Sequence, residues 1–380
     1  MSAAPLVWLL AGEASGDVIG ARLMASLRAL RPELRFAGVG GPRMQAEGLE
    51  SLFEMRELSV MGLVEILPRV RRLSRLMAAA EADIAARRPD LVVTIDSPGF
   101  ALRLLARLRG VTRIHYVAPQ VWAWREHRVK HYPGRWERLL CLLPFEPAFF
   151  ARHGIEARFV GHPVLQSGAD RGDGARFRAR HDIAPDAPVL ILMPGSRRSE
   201  VPRLLPVFGR TLALLKARFP DLVAVVPVAQ AVADTVERAA RDWPVTCVIA
   251  TDLADKHDAY AAAGAALTKS GTSTLELALA GVPMAVTYRV NPLTAAIARR
   301  LIRVPHVAMI NLLAARALVP ELLQGDCRAD RLAMAVTTLL TDAETAGAQR
   351  AGFRAAISGL APPGGTPSDL AAREVAALLP

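Results

Sequence analysis

Leu267-Thr268-Lys269-Ser270-Gly271-Thr272-Ser273-Thr274-Leu275-Glu276 decides how the chain folds. An alanine-rich apolar segment runs into Leu267. A Ser-Gly-Thr-Ser turn follows, and then a helical pattern with Glu276 in its first turns. A strand that enters a small-residue turn and leaves as a helix is the repeating unit of a parallel α/β protein. Such a turn offers free backbone N–H groups and the positive end of a helix dipole to an anion, which suits a diphosphate. An acid slightly further in can accept ribose hydroxyl protons. Ser and Thr are also ordinary helix caps, so the turn draws its weight from its surroundings.

Outward from that stretch the same alternation covers the chain. Leu6–Ala11 reads as a strand followed by a helix from about Asp17 to Leu30. Leu91–Ile95, Arg113–Val117 and Leu139–Leu143 continue the series. The pattern thins at Gln166–Pro188 and restarts with Val189–Met193, Leu222–Val228, Thr246–Ile249, Ala265–Thr268 and Pro283–Thr287. At 380 residues the chain has room for two domains of roughly 150 residues. The expected division is one α/β domain over 1–165 and a second over 188–355. A linker and helix over 361–380 would pack back on the first. Ala361–Pro367 is the Pro/Gly-rich stretch before that helix.

Composition narrows the classes. At 52% hydrophobic residues the chain builds large cores and is not disordered. The formal charge of +11 points to an anionic partner, with scattered arginines from genomic composition as the plain rival. Cys141, Cys247 and Cys327 are far apart and form no C-x-x-C pair, which excludes a disulfide framework or zinc motif and fits a reducing cytoplasm. The N-terminal apolar run lacks a preceding basic region and leads straight into Ala11-Gly12-Glu13, as a first strand does. No apolar run approaches the ~20 residues of a membrane span.

Several turns after strands carry candidate chemistry. Gly12-Glu13-Ala14-Ser15-Gly16-Asp17 is spaced Gly-x3-Gly, unlike the dinucleotide fingerprint, so an NAD enzyme is disfavoured. A tight βα turn capped by Ser15 or Asp17 is the competing reading. Gly38-Val39-Gly40-Gly41-Pro42 reads as a second flexible turn. In Thr94-Ile95-Asp96-Ser97-Pro98, Pro98 fits the first helical position and Ser97 the N-cap. Asp96 is then left at the carboxyl edge of the sheet as a general base or a dipole partner. His115 reads as a packed residue, and Trp122 and Trp124 as a sugar or lipid platform or as core. Pro194-Gly195-Ser196-Arg197 pairs a turn with a guanidinium suited to phosphate. Val60–Pro68, followed by Arg69, Arg71, Arg72 and Arg75, reads as a membrane-surface segment or an amphipathic helix.

Together these segments resemble the lipid-A-disaccharide synthase family, inverting glycosyltransferases of the GT-B fold. The resemblance rests on Ala11–Asp17, Met61-Gly62-Leu63-Val64-Glu65, Ile95–Pro98, Tyr116–Arg125, Leu143–Glu146, Phe159–Pro163, Pro194–Arg197, Ser270–Glu276 and Asn311–Ala314, in the family's order. It implies an α/β protein of two Rossmann-like domains whose parallel sheets face across a cleft. It implies transfer of 2,3-diacylglucosamine from its UDP conjugate to 2,3-diacylglucosamine 1-phosphate, giving a β-1,6-linked disaccharide 1-phosphate and UDP. Asp96 would be the base, Glu13 would orient acceptor or base, and Arg197 would meet charge on the leaving diphosphate. Gly195, Ser196, Ser270, Gly271 and Thr272 would hold the phosphates, Glu276 the ribose, and Asn311 the nucleotide or sugar. Ser15, Met61, Leu63, Ile66, Gln120, Trp122 and Arg125 would lie on the acceptor and lipid side.

No Asp-x-Asp metal motif is present, so no metal or other cofactor is expected. The expected partners are the two lipid substrates and the inner-membrane surface, from the cytoplasmic side, and not nucleic acid. Two positions depart from the family: Ala315 where glycine is commoner before Arg316, and Gly99 where a polar residue is commoner. A UDP-sugar 2-epimerase of the same fold and a non-catalytic nucleotide- or lipid-binding protein remain alternatives. A basic nucleic-acid binder is a third, without any recognised motif.

Overall fold

The computed structural model describes residues 4–58, 70–197, 200–291, 295, 301 and 304–380. The chain divides into two compact units, one of Met1–Pro163 with Leu360–Pro380 and one of Val164–Gly359. The strands of the first unit are β1 (Leu6–Ala11), β2 (Arg35–Val39), β3 (Glu50–Ser51), β4 (Leu91–Ile95), β5 (Thr112–Tyr116), β6 (Arg138–Cys141) and β7 (Ala157–Phe159). They pair in parallel in the order β3-β2-β1-β4-β5-β6-β7. In the second unit β8 (Val189–Met193), β9 (Val223–Pro227), β10 (Thr246–Ala250), β11 (Ala265–Lys269), β12 (Met284–Tyr288) and β13 (Glu321–Leu323) pair in parallel as β10-β9-β8-β11-β12-β13.

All six residues of β1 are buried, because helices cover both faces of a parallel sheet. Alternation divides them. Trp8 and Leu10 join Val92, Leu104 and Phe150 on one face, while Val7 and Leu9 join Leu23, Val93 and Tyr116 on the other. The C-terminal helix Pro367–Ala376 completes the second face with Ala371, Ala372 and Val375. Ser26 Oγ donates to Asp369 Oδ1 at 2.9 Å, and Arg138 pairs with Glu374 at 2.9 Å.

Three local expectations change. Gly38 and Val39 belong to β2, where a Cβ on Gly38 would lie 1.9 Å from Leu9 O, so the residue type is set by strand packing. The first helix begins at Ala14 with Glu13 at the N-cap. Asp17 is buried and accepts from the N–H groups of Gly41, Arg43 and Met44 at 2.8–3.0 Å, capping the neighbouring helix Pro42–Ala46. The diluted stretch after residue 166 is no spacer. Its helix Gly174–Arg180 buries Phe177 and clamps Asp258 through Arg176, at 2.6 and 2.7 Å.

Both sheets have one strand-order reversal. In the first unit it falls between β1 and β4, in the second between β8 and β11. The crevice outside the carboxyl ends of such a strand pair is where open α/β sheets bind ligands.

Candidate functional site

In the first unit that position is filled by two of the turns singled out in the sequence. Gly12–Ser15 leaves β1, and Asp96–Ser97 leaves β4. They meet closely: a Cβ on Gly12 would stand 2.3 Å from Ser97 Oγ, so only glycine lets the turns approach. Asp96 and Ser97 both have positive φ, 54° and 47°. Two consecutive left-handed non-glycine residues store strain, and such strain collects at functional sites. The Asp96 N–H donates to Tyr116 O at 2.9 Å, which fixes the reversed backbone. Burial raises the Asp96 carboxyl above its usual range, while the Ser97 N–H and Ser15 hydroxyl bonded to it oppose the rise. Ser15 and Asp96 are thus brought together. Ser97 stands at the N-cap of the helix Pro98–Arg107, but its hydroxyl makes no cap bond, because the left-handed backbone turns it toward Gly12. Gly99 is exposed with open space where a Cβ would stand.

The segment after β5 separates its aromatics. Trp122 packs against the core, donates from Nε1 to Glu146 Oε1 at 3.0 Å, and meets Phe145 edge-on. Trp124 is the exposed one, at 40%, with the Arg125 guanidinium 3.7 Å from its ring centroid. Gln120 is exposed at the start of this turn. Glu146 is buried and also accepts from Leu142 N and Leu143 N, and burial pushes its carboxyl up to about 7. His115 is buried, bonded through Nδ1 to Thr94 and stacked on Trp136, and burial lowers it to about 4, so it is a neutral core residue.

In the second unit the turns after β8 and β11 hold the other set. Gly195 has φ 112° and Gly271 φ 152°, conformations that glycine adopts without strain. Ser196, Arg197 and Thr272 are exposed. Thr272 opens the helix Ser273–Leu279 without a side-chain cap, and Ser270 Oγ donates to Val307 O at 2.9 Å. Glu276 pairs with Lys256 Nζ at 2.6 Å and accepts from Tyr260 Oη at 3.3 Å. Tyr260 also reaches Met193 Sδ at the end of β8.

The sequence reading missed Glu200, Lys269 and Tyr288. Glu200 accepts from Lys269 Nζ at 2.8 Å and from Arg197 Nη1 and Tyr288 Oη, each at 3.1 Å. Burial alone would raise the Glu200 carboxyl, but the Lys269 and Arg197 cations outweigh it and hold it below its ordinary value. A strand ending in lysine beside the Ser270 turn was the available signal.

Asn311 is corrected. Its side chain is fully buried, its Nδ2 donates to Val319 O and Glu321 Oε1, and its Oδ1 accepts from Leu318 N and Val319 N, at 2.8–2.9 Å. Every polar position of the amide is used in bracing the turn before β13, so none reaches a nucleotide. Met61, Leu63 and Ile66 lie outside the described residues.

A family model described as lipid-A-disaccharide synthetase matches residues 7–362. A lipid-A-disaccharide synthase of Gluconobacter oxydans is 62% identical over 98% of this chain and 91% of its own. Among solved structures, an S. aureus MnaA co-structure with UDP superposes with a TM-score of 0.65 at 13% identity, over 98% of this chain and 95% of its own. The calicheamicin glycosyltransferase CalG4 gives 0.60 at 20% identity, over 100% and 98%. At these identities the structural likeness gives the fold, that of GT-B glycosyltransferases.

Proposed function

The chain belongs to the lipid-A-disaccharide synthetase family, and from that premise we propose how its residues perform the transfer. The reaction joins 2,3-diacylglucosamine from its UDP conjugate to 2,3-diacylglucosamine 1-phosphate, forming the β-1,6-linked lipid A disaccharide 1-phosphate and UDP. An α-linked donor and a β-linked product require one inverting displacement. The acceptor 6-hydroxyl oxygen bonds to the anomeric carbon, the bond from that carbon to the diphosphate oxygen breaks, and UDP leaves with the electron pair. The hydroxyl proton goes to a carboxylate.

One observation carries the assignment of roles: each sheet's order reversal is lined by the turns that the family resemblance also selects. Asp96 is the base. Its strained, partly buried position and raised carboxyl give it more basicity than a solvated aspartate has. Ser15 orients it, and Glu13, at the N-cap of the first helix, orients the acceptor. Arg197 meets the charge that develops on the leaving diphosphate. The Gly195–Ser196 and Ser270–Thr272 turns hold the phosphates and Glu276 the ribose. Charge on the leaving group is met by these groups without a metal. Exposed Trp124 with Arg125 supports contact of the first unit with an anionic membrane surface, and in this reading the enzyme works at the inner membrane from the cytoplasmic side.

The test is UDP release from the two lipid substrates. Asp96→Asn should lower turnover by roughly 10²–10⁴-fold while UDP binding persists, and EDTA should leave the wild-type rate unchanged. Full activity in the asparagine variant would remove Asp96 as the base.

A further inference from the structure

Lys269 ends β11, one of the two strands at the order reversal of the second unit, and the next residue begins the Ser270–Thr272 turn. Its ammonium is largely buried, with 18% of the side chain exposed, against a Glu200 carboxylate that is 10% exposed. Glu200 also holds Arg197, which is 48% exposed, and Tyr288. The Gly195 turn closes over this pair, since a Cβ there would stand 3.1 Å from both Lys269 Cδ and Glu200 Oε2. The ammonium therefore lies under the first phosphate turn and at the start of the second.

A buried ion pair is poor value as a stabilising device, because desolvation cancels most of the attraction. Its location at the end of a switch-point strand calls for another account. An ammonium has three donors, and Glu200 Oε2 takes one. Arg197, Lys269 and Glu200 sum to one positive charge, against the two or more negative charges of a nucleoside diphosphate.

We propose that Lys269 is a second diphosphate-binding cation of the donor site, working beside Arg197 and held in place by the shared carboxylate of Glu200. Arg197 reaches from the exposed side, and Lys269 contacts the same diphosphate from beneath the Gly195 turn. This rests on the reading of the second unit as the UDP-sugar site. Lys269 holds charge rather than transferring a proton, so its effect falls on phosphate affinity and not on nucleoside recognition.

Calorimetric titration of the full chain with UDP and with uridine tests it. The wild type should bind UDP far more tightly than uridine. Lys269→Met should weaken UDP about tenfold, the size of a charge-assisted hydrogen bond, and leave uridine affinity unchanged. Retained uridine binding certifies the folded site. If the methionine variant loses uridine as well, Lys269→Gln, which keeps a donor toward Glu200, carries the same expectation. Equal UDP affinity in a variant and the wild type would overturn the role of Lys269 and leave the donor site standing. Failure of the wild type to bind UDP would overturn the donor-site reading itself.

Discussion

At the scale of single residues, the chain separates groups whose chemistry is local from groups whose role depends on distant partners. That Asp96 and Ser15 lie in turns at the carboxyl edge of a parallel sheet was legible, because strand ends and turns are readable and ligands bind at that edge. Asp17 and Asn311 were not. Both sit in conspicuous motifs, yet each is consumed by backbone groups, those of Gly41–Met44 and of Leu318–Val319. Ala315 shows a departure with a measurable consequence. It closes the helix Met309–Ala314 in the left-handed conformation, φ 51°, where glycine is the usual residue and the one the family resemblance leads one to expect. A Cβ costs energy in that conformation, so Ala315→Gly should stabilise the protein by about 0.5–1 kcal/mol, less the extra entropy of an unfolded glycine. Urea unfolding measures it, and an unchanged midpoint would show that the turn relaxes around the methyl group.

Elements show where tertiary contacts override local pattern. The turn after β5 reads as an aromatic platform, but it is divided by Glu146, at the start of the helix Glu146–Ala151, which draws the Trp122 indole inward and leaves Trp124 outside. Glu146 titrates near 7 because burial outweighs its three donors. Its folded value is raised above the unfolded one of 4.5, so the folded state binds more protons between these values. Stability from this group is then fully present below about 4.5 and is lost as pH rises toward 7. Glu146→Gln should flatten that dependence, relative to the wild type, by an amount of order 1–3 kcal/mol. Denaturant midpoints taken at intervals across this range, with tryptophan fluorescence, check it. Parallel slopes in the two proteins would mean that the donors hold the carboxylate ionised throughout.

For the whole molecule, two sheets with separate cores and a C-terminal helix returned to the first unit account for the length of the chain. Several arginines pair with acids on the surface, yet the formal charge remains +11. Among the described residues no helix is long and apolar enough to cross a membrane. The proposed function has the lipid substrates met at the surface, through positive charge and exposed side chains such as Trp124. Binding to vesicles containing phosphatidylglycerol should exceed binding to neutral vesicles. It should weaken strongly in about 1 M salt, where the screening length is roughly 3 Å. Co-sedimentation reports this, and equal binding to both vesicle types would exclude an electrostatic contribution.

The sequence by itself determined the α/β alternation and the small-residue turns that follow β1, β4, β8 and β11, while the strand order that brings those turns together is tertiary. The alternation and the turns follow from hydrophobic periodicity and turn chemistry over a few residues. Tertiary structure alone decided that Asn311 braces a turn, that Asp17 caps a neighbouring helix, that Trp122 faces inward, and that Lys269 joins Arg197 on Glu200. Each of these depends on which polar atoms meet once the strands are ordered, and burial then obliges them to find partners whatever their separation along the chain.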